Sequence, residues 1–453
     1  MYRMPIYNID VKKVYDFPKA LNVVYYKDKI LVIAPEVANW LVLDSSKQLR
    51  VFDLFRSGQS IENVIQSSAV DMVDVKNLVT QIEAKKFYKK EAASHSKKEN
   101  LLHLYLTNKC NLSCPHCYMF SGIAEVNELD TTEVKKLISD FVHIDNGVVV
   151  TLSGGEPTLR PDFDEIVKYA YSAGLEVKLL TNATQISPER VALLSKYISS
   201  VQISIDGYSE ASNAIIRGRG NFDKAIATVD SFISNGVYTS VAITPTLECL
   251  KSHVENYISF AQILSEKYYD KPFELRFSEE LLNGRCISDA EKINDEYGRI
   301  MTNIQKSLYG SEFMVMEFVK KLRDNPIITN CSFGNLTVNA SGDVFLCPRI
   351  SDLMPIGNIR KNSFKDIISK AEVAEQATSI NNLEPCKDCD LRYICGGGCR
   401  IKEFPGLTSR ETFSGVNPCD FPRHTCNNMK KSIFYDLMIR SNEYFYSEIG
   451  QDK

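Results

Sequence analysis

No stretch of this chain has the length and apolarity of a membrane span. Its start also lacks the basic, then apolar, then small-residue order of an export signal. The expectation is therefore a cytoplasmic protein with no membrane partner. Charge of one sign is missing too: 53 basic residues stand against 57 acidic ones, a net of −4. Nothing in that balance draws the chain toward nucleic acid. An internal repeat of fixed period and low-complexity tracts are likewise absent. What is present is a chain of 453 residues, 44% hydrophobic, too long for one ordinary core and so expected to form two or three domains. It carries thirteen cysteines, most of them gathered into 110–117 and 331–426. In a reducing compartment that clustering points to metal ligation and away from a disulfide scaffold.

Residues 1–90 read as a separate small unit. Short β-type runs at Asn22–Tyr26, Ile30–Ile33 and Trp40–Leu43 precede a helical pattern from Ser45 that Gly58 ends. Ser60 caps a short helix over Ile61–Gln66, and a third helix starts near Val73. Three strands followed by three helices suggest a winged-helix-like domain. A DNA-binding version would need a basic recognition helix, yet Ser60–Ser68 has no Lys or Arg. Strand edges such as Asn22–Tyr26 or Ile30–Ile33 instead suit the addition of an extended peptide. Residues 91–100, within the polar run Lys85–Asn100, read as a linker.

From Leu101 strands and helices alternate. Strands are expected at Leu101–Leu106, Val148–Ser153, Val177–Thr181, Val201–Ile205, Thr239–Pro245 and Phe273–Phe277. Helices follow each, at Thr132–Val142, Asp162–Ser172, Pro188–Tyr197, Phe222–Asn235, Ser252–Tyr268 and Asp289–Leu308. Six such units over 101–325 predict a parallel, partial (β/α)6 TIM-like barrel, whose chemistry belongs on the loops after the strands. The first of those loops carries Cys110, Cys114 and Cys117 within eight residues. Thiolates at that density hold a metal. A closed zinc site wants four ligands, with His116 or His103 as candidates for the fourth, whereas three thiolates leave one iron of a cluster open. The second loop is Ser153-Gly154-Gly155-Glu156-Pro157, where paired glycines admit close backbone approach and Glu156 offers an acceptor. The third and fourth strands end in Thr181-Asn182-Ala183-Thr184 and Ser204-Ile205-Asp206-Gly207, and Arg217 opens Arg217-Gly218-Arg219-Gly220-Asn221-Phe222-Asp223.

Together these segments resemble the radical S-adenosylmethionine (radical SAM) enzymes. The resemblance implies a [4Fe–4S] cluster on Cys110, Cys114 and Cys117, with Tyr118 beside it. S-adenosylmethionine would be held by Gly154, Gly155 and Glu156 at its amino group, by Ser204 and Asn182 near the ribose, and by Arg217 at its carboxylate. The first unit, through Leu43-Asp44, Val51-Phe52-Asp53-Leu54-Phe55 and Gly58-Gln59-Ser60-Ile61-Glu62-Asn63-Val64-Ile65, resembles the PqqD-like recognition element of enzymes that mature ribosomally made peptides.

The remaining cysteines lie in 326–453. Cys331 is followed by Gly342 and Cys347, then by Cys386-x-x-Cys389-x-x-x-x-x-Cys395-x-x-x-Cys399, Cys419 and Cys426, with a hairpin expected over Leu336–Leu346 around Ala340-Ser341-Gly342-Asp343. A pair of zinc ribbons is the plainer interpretation of such spacing. The run resembles the SPASM extension, a cysteine-rich iron–sulfur domain with two auxiliary clusters, expected to be [4Fe–4S]. By that resemblance Cys386, Cys389, Cys395 and Cys419 hold one; Cys331, Cys347 and Cys399 hold the other, with an open iron or with Cys426, and Cys419 and Cys426 can exchange. Cys249 and Cys286 are expected to be buried structural thiols.

The expected activity is modification of a precursor peptide bound through its leader, with electrons from an external flavodoxin- or ferredoxin-type donor. A thioether crosslink is the first expectation for the product. Carbon–carbon or ether macrocycles, epimerisation and sulfatase-type maturation stand behind it. The last is disfavoured because Cys347 is followed by Pro348-Arg349, where sulfatase-maturing relatives carry an acidic base. A non-catalytic electron-transfer protein is the alternative from another class, and the cofactor segments at Ser153–Pro157 and Arg217 count against it.

Overall fold

A computed structural model describes residues 9–67, 70–89, 100–324, 327–331, 333–403, 426 and 428–444. The chain begins with strands β1 (Asn22–Tyr26), β2 (Lys29–Ala34) and β3 (Asn39–Leu43), followed by helices α1 (Ser46–Arg56), α2 (Ile61–Gln66) and α3 (Met72–Ala84). Each helix starts on a side chain that accepts from its first turn: Ser45 from Gln48, Ser60 from Asn63 and Asp71 from Val73. The strands form one antiparallel sheet in the order β1-β2-β3. Its inner face, with Ile30, Val32, Leu41 and Leu43, packs on Val51, Phe52, Phe55, Leu78 and Ile82 of the helices. Because β2 pairs on both sides, Ile30–Ile33 is not an edge, which corrects that part of the expectation. The edge strands are β1 and β3.

Next comes the alternating region: β4 (Leu101–Tyr105), α4 (Thr131–Asp145), β5 (Val149–Ser153), α5 (Phe163–Ser172), β6 (Glu176–Thr181), α6 (Pro188–Leu194), β7 (Ser200–Ser204), α7 (Glu210–Arg217), α8 (Phe222–Ser234), β8 (Tyr238–Ile243), α9 (Leu247–Ser252), α10 (Val254–Lys267), β9 (Phe273–Phe277), α11 (Ala290–Tyr309) and α12 (Phe313–Asp324). Strands β4 to β9 run parallel in sequence order, as six βα units require. Their side chains alternate in placement: Leu102 and Leu104 join the core under the helices, while His103 and Tyr105 lie on the other face. Gly174 and Gly236, at φ +88° and +77°, close α5 and α8 in a conformation that L side chains rarely adopt. Helices α7, α9 and α12 had no counterpart in the sequence pattern, being short or following another helix closely.

The last region holds β10 (Leu336–Val338), β11 (Asp343–Phe345), β12 (Gly357–Asn358), α13 (Phe364–Thr378), α14 (Arg392–Cys395), α15 (Arg400–Glu403) and α16 (Asn428–Arg440). The hairpin is present, but it does not stand apart. β10 pairs parallel with β4, extending the main sheet to β12-β11-β10-β4-β5-β6-β7-β8-β9. The cysteine-rich region therefore grows out of the barrel's first strand. Arg360 reinforces that junction by binding Glu133 at the start of α4 through both Nε and Nη2, each at 2.6 Å.

A second join ties the first unit to the chain's end. The outer face of the β1–β3 sheet, with Leu31, Ile33, Trp40 and Val42, is buried against Phe318 and Leu322 of α12, Leu391, Ile394 and, on α16, Tyr435 and Met438. Trp40, 2% exposed, donates from its indole to the Met438 carbonyl at 3.0 Å. Lys27 pairs with Asp436 at 2.6 Å. Among the described residues no helix is long and apolar enough to cross a membrane.

The Glu133–Arg360 pair makes an acid-sensitivity prediction. Its guanidinium holds the Glu133 carboxyl at about 2, below the ordinary 4.5. A lowered folded-state value means the pair stabilises fully above about pH 4.5 and is lost as pH falls through about 2. Denaturation curves of Glu133→Gln should lie below wild type at neutral pH and converge with it as pH approaches 2. Parallel curves across that window would contradict the assignment.

Candidate cofactor and cluster site

The ends of β4 to β7 converge on one spot. Beyond β4, Thr107 and Asn108 are fixed by Glu128, which accepts from the Thr107 hydroxyl at 2.8 Å and from the Asn108 N–H at 2.7 Å. The loop then carries Cys110, Cys114 and Cys117. Cys110 N–H donates to Gly122 O, and Cys117 N–H to Cys114 O. A segment after β9 clamps the loop from outside: Arg285 and Cys286 donate backbone N–H groups to Cys117 O and Pro115 O, and the Arg285 guanidinium reaches the Cys114 and Ser121 carbonyls. A Cβ at Gly284 would stand 2.8 Å from His116 backbone atoms, so glycine is required for this approach. Cys286 is exposed, correcting the expectation of a buried thiol; its backbone, and not its side chain, meets the cysteine loop.

The Gly154-Gly155 pair serves the same loop. A Cβ at Gly154 would be 2.6 Å from Thr107 O, and one at Gly155 would be 2.4 Å from Lys109 O. Gly155 and Glu156 donate N–H groups to those two carbonyls at 2.7 and 2.8 Å. The glycines thus let β5 seat directly on the root of the cysteine loop. Glu156, fully buried, accepts from Thr158 N–H and hydroxyl, from Thr181 hydroxyl at 2.7 Å and from Asn182 N–H at 2.7 Å. Its carboxylate ties β5 to β6, which differs from an acceptor offered only to a ligand. Burial raises its pKa, against the opposing pull of those donors. Asn182 donates to Asn111 Oδ1 at 3.0 Å and lies 3.9 Å from Cys110 Sγ, so its amide faces the sulfur. Ser204, half-buried at the end of β7, makes no side-chain hydrogen bond among the described residues.

Arg217 closes α7 and turns its Nε to Asp206 Oδ2 at 2.6 Å. Asp206 is the residue that sequence reasoning passed over. Fully buried, it accepts the Thr244 N–H at 2.9 Å, receives the Tyr257 hydroxyl on its own carbonyl at 2.9 Å, and stands 3.3 Å from His116 Nε2. Its place in Ser204-Ile205-Asp206-Gly207, an acidic residue directly beyond the end of β7, was the available signal. Burial is the largest influence on His116 and lowers its pKa, with Asp206 opposing and Arg217 adding to the lowering. Burial works against the charge of Arg217 as well, but Asp206 and the thiols of Cys114 and Cys110 outweigh it, so its pKa is raised. The guanidinium thus lies within the field of two loop cysteines and keeps its terminal nitrogens without a hydrogen bond among the described residues.

The donor set suits iron. Burial pushes the Cys114 thiol up to about 11 and that of Cys110 upward, and the neighbouring cysteines add to both. Soft thiols packed so that each disfavours its neighbour's ionisation become favourable ligands once a metal replaces their protons. Among the described residues no three His, Cys, Asp or Glu side chains close on a point as around a single ion. Tyr118 departs from the group: its hydroxyl meets Tyr105 at 2.8 Å, and Tyr105 donates to Pro348 O at 2.8 Å.

The second set of cysteines separates into two neighbourhoods. Burial raises Cys347 to about 11, and Cys331 and Cys399 add to it. Burial likewise raises Cys386 to about 11, with Cys395, Cys389 and Cys426 contributing. Cys426, rather than a place beside Cys347, thus takes the position next to Cys386 and Cys389. Cys419 lies outside the described residues. Between the groups Arg400, fully buried, donates to the carbonyls of Thr378, Gly396 and Gly398 and sits in the field of Cys331, Cys386, Cys395 and Cys399.

Comparison with known proteins supports the same division. The Radical SAM superfamily model matches residues 104–257, and the SPASM iron–sulfur cluster-binding model matches 330–390. Mycofactocin maturase MftC of Mycolicibacterium smegmatis is 29% identical over 332 residues, 71% of this chain and 81% of that protein. PqqA peptide cyclase of Bradyrhizobium diazoefficiens is 26% identical over 322 residues, 66% of this chain and 81% of that protein. A solved structure of anSMEcpe with bound AdoMet and Cp18Cys peptide superposes with a TM-score of 0.54 at 19% identity, covering 77% of this chain and all of that one.

Removing the Asp206 charge tests the electrostatic core of the site. Asp206→Asn leaves the Arg217 guanidinium buried without its counter-charge, and the expected loss is about 3–5 kcal/mol in chemical denaturation. A loss below about 1 kcal/mol, the range of an exposed pair, would show that the pairing is not desolvated.

Proposed function

We propose that this chain, which carries the Radical SAM and SPASM matches, modifies a precursor peptide and installs an intramolecular crosslink, a thioether in the first instance, in a peptide held by its leader. The observation that carries the assignment is the convergence of Cys110, Cys114 and Cys117 with the Arg217–Asp206 pair at one barrel mouth. A [4Fe–4S] cluster on those thiols would supply the electron, drawn from a flavodoxin- or ferredoxin-type donor, that converts S-adenosylmethionine to the 5′-deoxyadenosyl radical for hydrogen abstraction. The chain's own part is to bind and orient. Arg217 presents terminal nitrogens suited to the cofactor carboxylate, Ser204 presents a hydroxyl suited to the ribose, and the Gly154–Glu156 turn packs on the root of the cysteine loop. Asn182 faces Cys110 Sγ and, with Arg217, offsets the negative charge of the thiolates.

The thioether expectation rests on the Cys331, Cys347 and Cys399 neighbourhood. With Cys426 beside Cys386, three described thiols remain for that auxiliary cluster, and an open iron there would bind a substrate cysteine as its thiolate. Carbon–carbon or ether closure and epimerisation are the other outcomes this site would allow. Pro348 and Arg349 give no carboxylate beside Cys347; Arg349 is paired with Glu280 at 3.1 Å and with Asp352 at 2.8 Å. Sulfatase-type oxidation is therefore the weaker reading.

Leader capture falls to β1. The edge of β3 is closed by the chain itself, since the Gln81 side-chain amide donates to Val42 O at 2.7 Å and accepts Val42 N–H at 3.0 Å, and Lys85 Nζ donates to Trp40 O at 3.0 Å. On the other side the two-residue turn Lys27–Asp28 pairs Tyr26 with Lys29. Alternation from that closing pair turns the N–H and C=O groups of Val23 and Tyr25 away from β2. Their side chains are 39% and 71% exposed, and an added strand would cover them.

Two experiments test this reading. Under anaerobic conditions with reductant and S-adenosylmethionine, wild type should release 5′-deoxyadenosine and Cys114→Ala should release none; full activity in the variant would overturn the cluster assignment. For the leader, Tyr25→Pro removes one outward N–H from an edge where the sheet does not use it. A leader peptide should bind the variant about five- to tenfold more weakly, the value of one backbone hydrogen bond. Unchanged affinity would place the leader elsewhere.

A further inference from the structure

The two cluster loops are joined by a pair of tyrosines. Cys117 is followed by Tyr118, and Cys347 by Pro348. The Tyr105 hydroxyl donates its proton to Pro348 O at 2.8 Å. It therefore meets Tyr118, 2.8 Å away, as an acceptor, and Tyr118 is the donor. The chain of bonds has a single direction, from Tyr118 O–H to Tyr105 O–H to the Pro348 carbonyl. Tyr105 is 2% exposed and closes β4. Its ring rests against His103, two residues earlier on the same face, with centroids 4.6 Å apart. His103 is itself half-buried, and the desolvation of its ring lowers its pKa to about 4.

We propose that Tyr105 and Tyr118 act as a strut that sets the spacing between the cofactor-cleaving cluster at Cys117 and the auxiliary cluster at Cys347. The inference rests on the cluster assignments above and adds a positioning role for two residues outside the cysteine set. The Cys347 loop reaches the barrel mouth through the β10–β11 hairpin, whose β10 pairs with β4 over Leu102–Leu104 and stops one residue short of Tyr105. Pairing of strands places the hairpin; it does not by itself hold the loop that follows Phe345. Among the described residues, the Gly334 N–H bond to Leu346 O secures its start, and two side-chain ties reach further along it. Arg349 reaches Glu280 from a partly exposed position, and Tyr105 reaches Pro348 from a buried one. Only the second continues to the Cys117 loop. A bond of fixed direction, anchored on the buried Tyr105 and part-buried along its length, loses its geometry when either hydroxyl is removed.

The test uses the full chain with its clusters reconstituted anaerobically, in wild type, Tyr105→Phe and Tyr118→Phe. Iron content is measured first; the magnetic interaction between the two reduced clusters is then read by electron paramagnetic resonance. Dipolar interaction falls with the cube of separation, so a loosened spacing appears as a changed and broadened splitting, whereas a merely structural loss lowers stability and leaves the splitting intact. The expected result is full iron content in Tyr118→Phe with an altered splitting, and a larger alteration in Tyr105→Phe. An unchanged splitting in Tyr118→Phe overturns the strut, whatever Tyr105→Phe does, because Tyr105 would then only anchor the Cys347 loop. Absence of cluster signals from wild type would instead overturn the cluster assignments, so the two failures are distinct.

Discussion

The arrangement of the barrel mouth depends on one buried carboxylate. Asp206 has no exposure to water, and a charge in that setting must be paired. Arg217 supplies the pairing at 2.6 Å, Thr244 N–H and His116 share the two oxygens, and each of these partners comes from a different segment: the end of α7, the end of β8 and the cysteine loop. Satisfying one anion thus brings the fourth and fifth strand ends against the loop that follows the first. The same pairing orients a guanidinium toward Cys110 and Cys114, so the cation that neutralises Asp206 also lies in the field of those two thiols. Fold and site share a single electrostatic requirement.

A similar sharing operates at the scale of domains. The first unit has its own core under α1–α3, but the other face of its sheet is finished only by α12 and α16 from distant parts of the chain. Trp40 and the Lys27–Asp436 pair hold that face in place. The cysteine-rich region is bound to the barrel in turn through β10 beside β4 and Arg360 on Glu133. The β1 edge, the barrel mouth and the second set of cysteines are consequently fixed relative to one another, an arrangement that would suit a substrate held at one point and reacted at another.

Much of this was legible in the sequence because it is written in local pattern. Alternating strands and helices, Gly174 and Gly236 as helix stops, and three cysteines in eight residues each act within one or two turns of chain. What escaped is what depends on distant partners. Asp206 was quoted as part of a motif without a role, since nothing near it in sequence shows that Thr244 and His116 will meet it. The Gly154-Gly155 pair suggested room for a ligand, whereas the contact that forbids a Cβ is the backbone of Thr107 and Lys109. Ile30–Ile33 was expected as an edge but is the centre of its sheet, where its unbroken apolar run is covered on both faces and paired on both sides. Cys286 was expected to be buried because free cysteines usually are; its backbone contacts with the cluster loop leave the thiol outside.

The central claim is that a radical made at Cys110–Cys117 reacts with a peptide held by the same chain. Its most direct test is the mass of a small cysteine-containing candidate peptide after anaerobic incubation with reconstituted enzyme, reductant and S-adenosylmethionine. The expected result is 5′-deoxyadenosine together with a peptide lighter by two hydrogens, the signature of a crosslink. Deoxyadenosine with a peptide of unchanged mass would contradict the crosslink and point to epimerisation. An unaltered peptide and no deoxyadenosine, from enzyme with full iron content, would contradict the account as a whole.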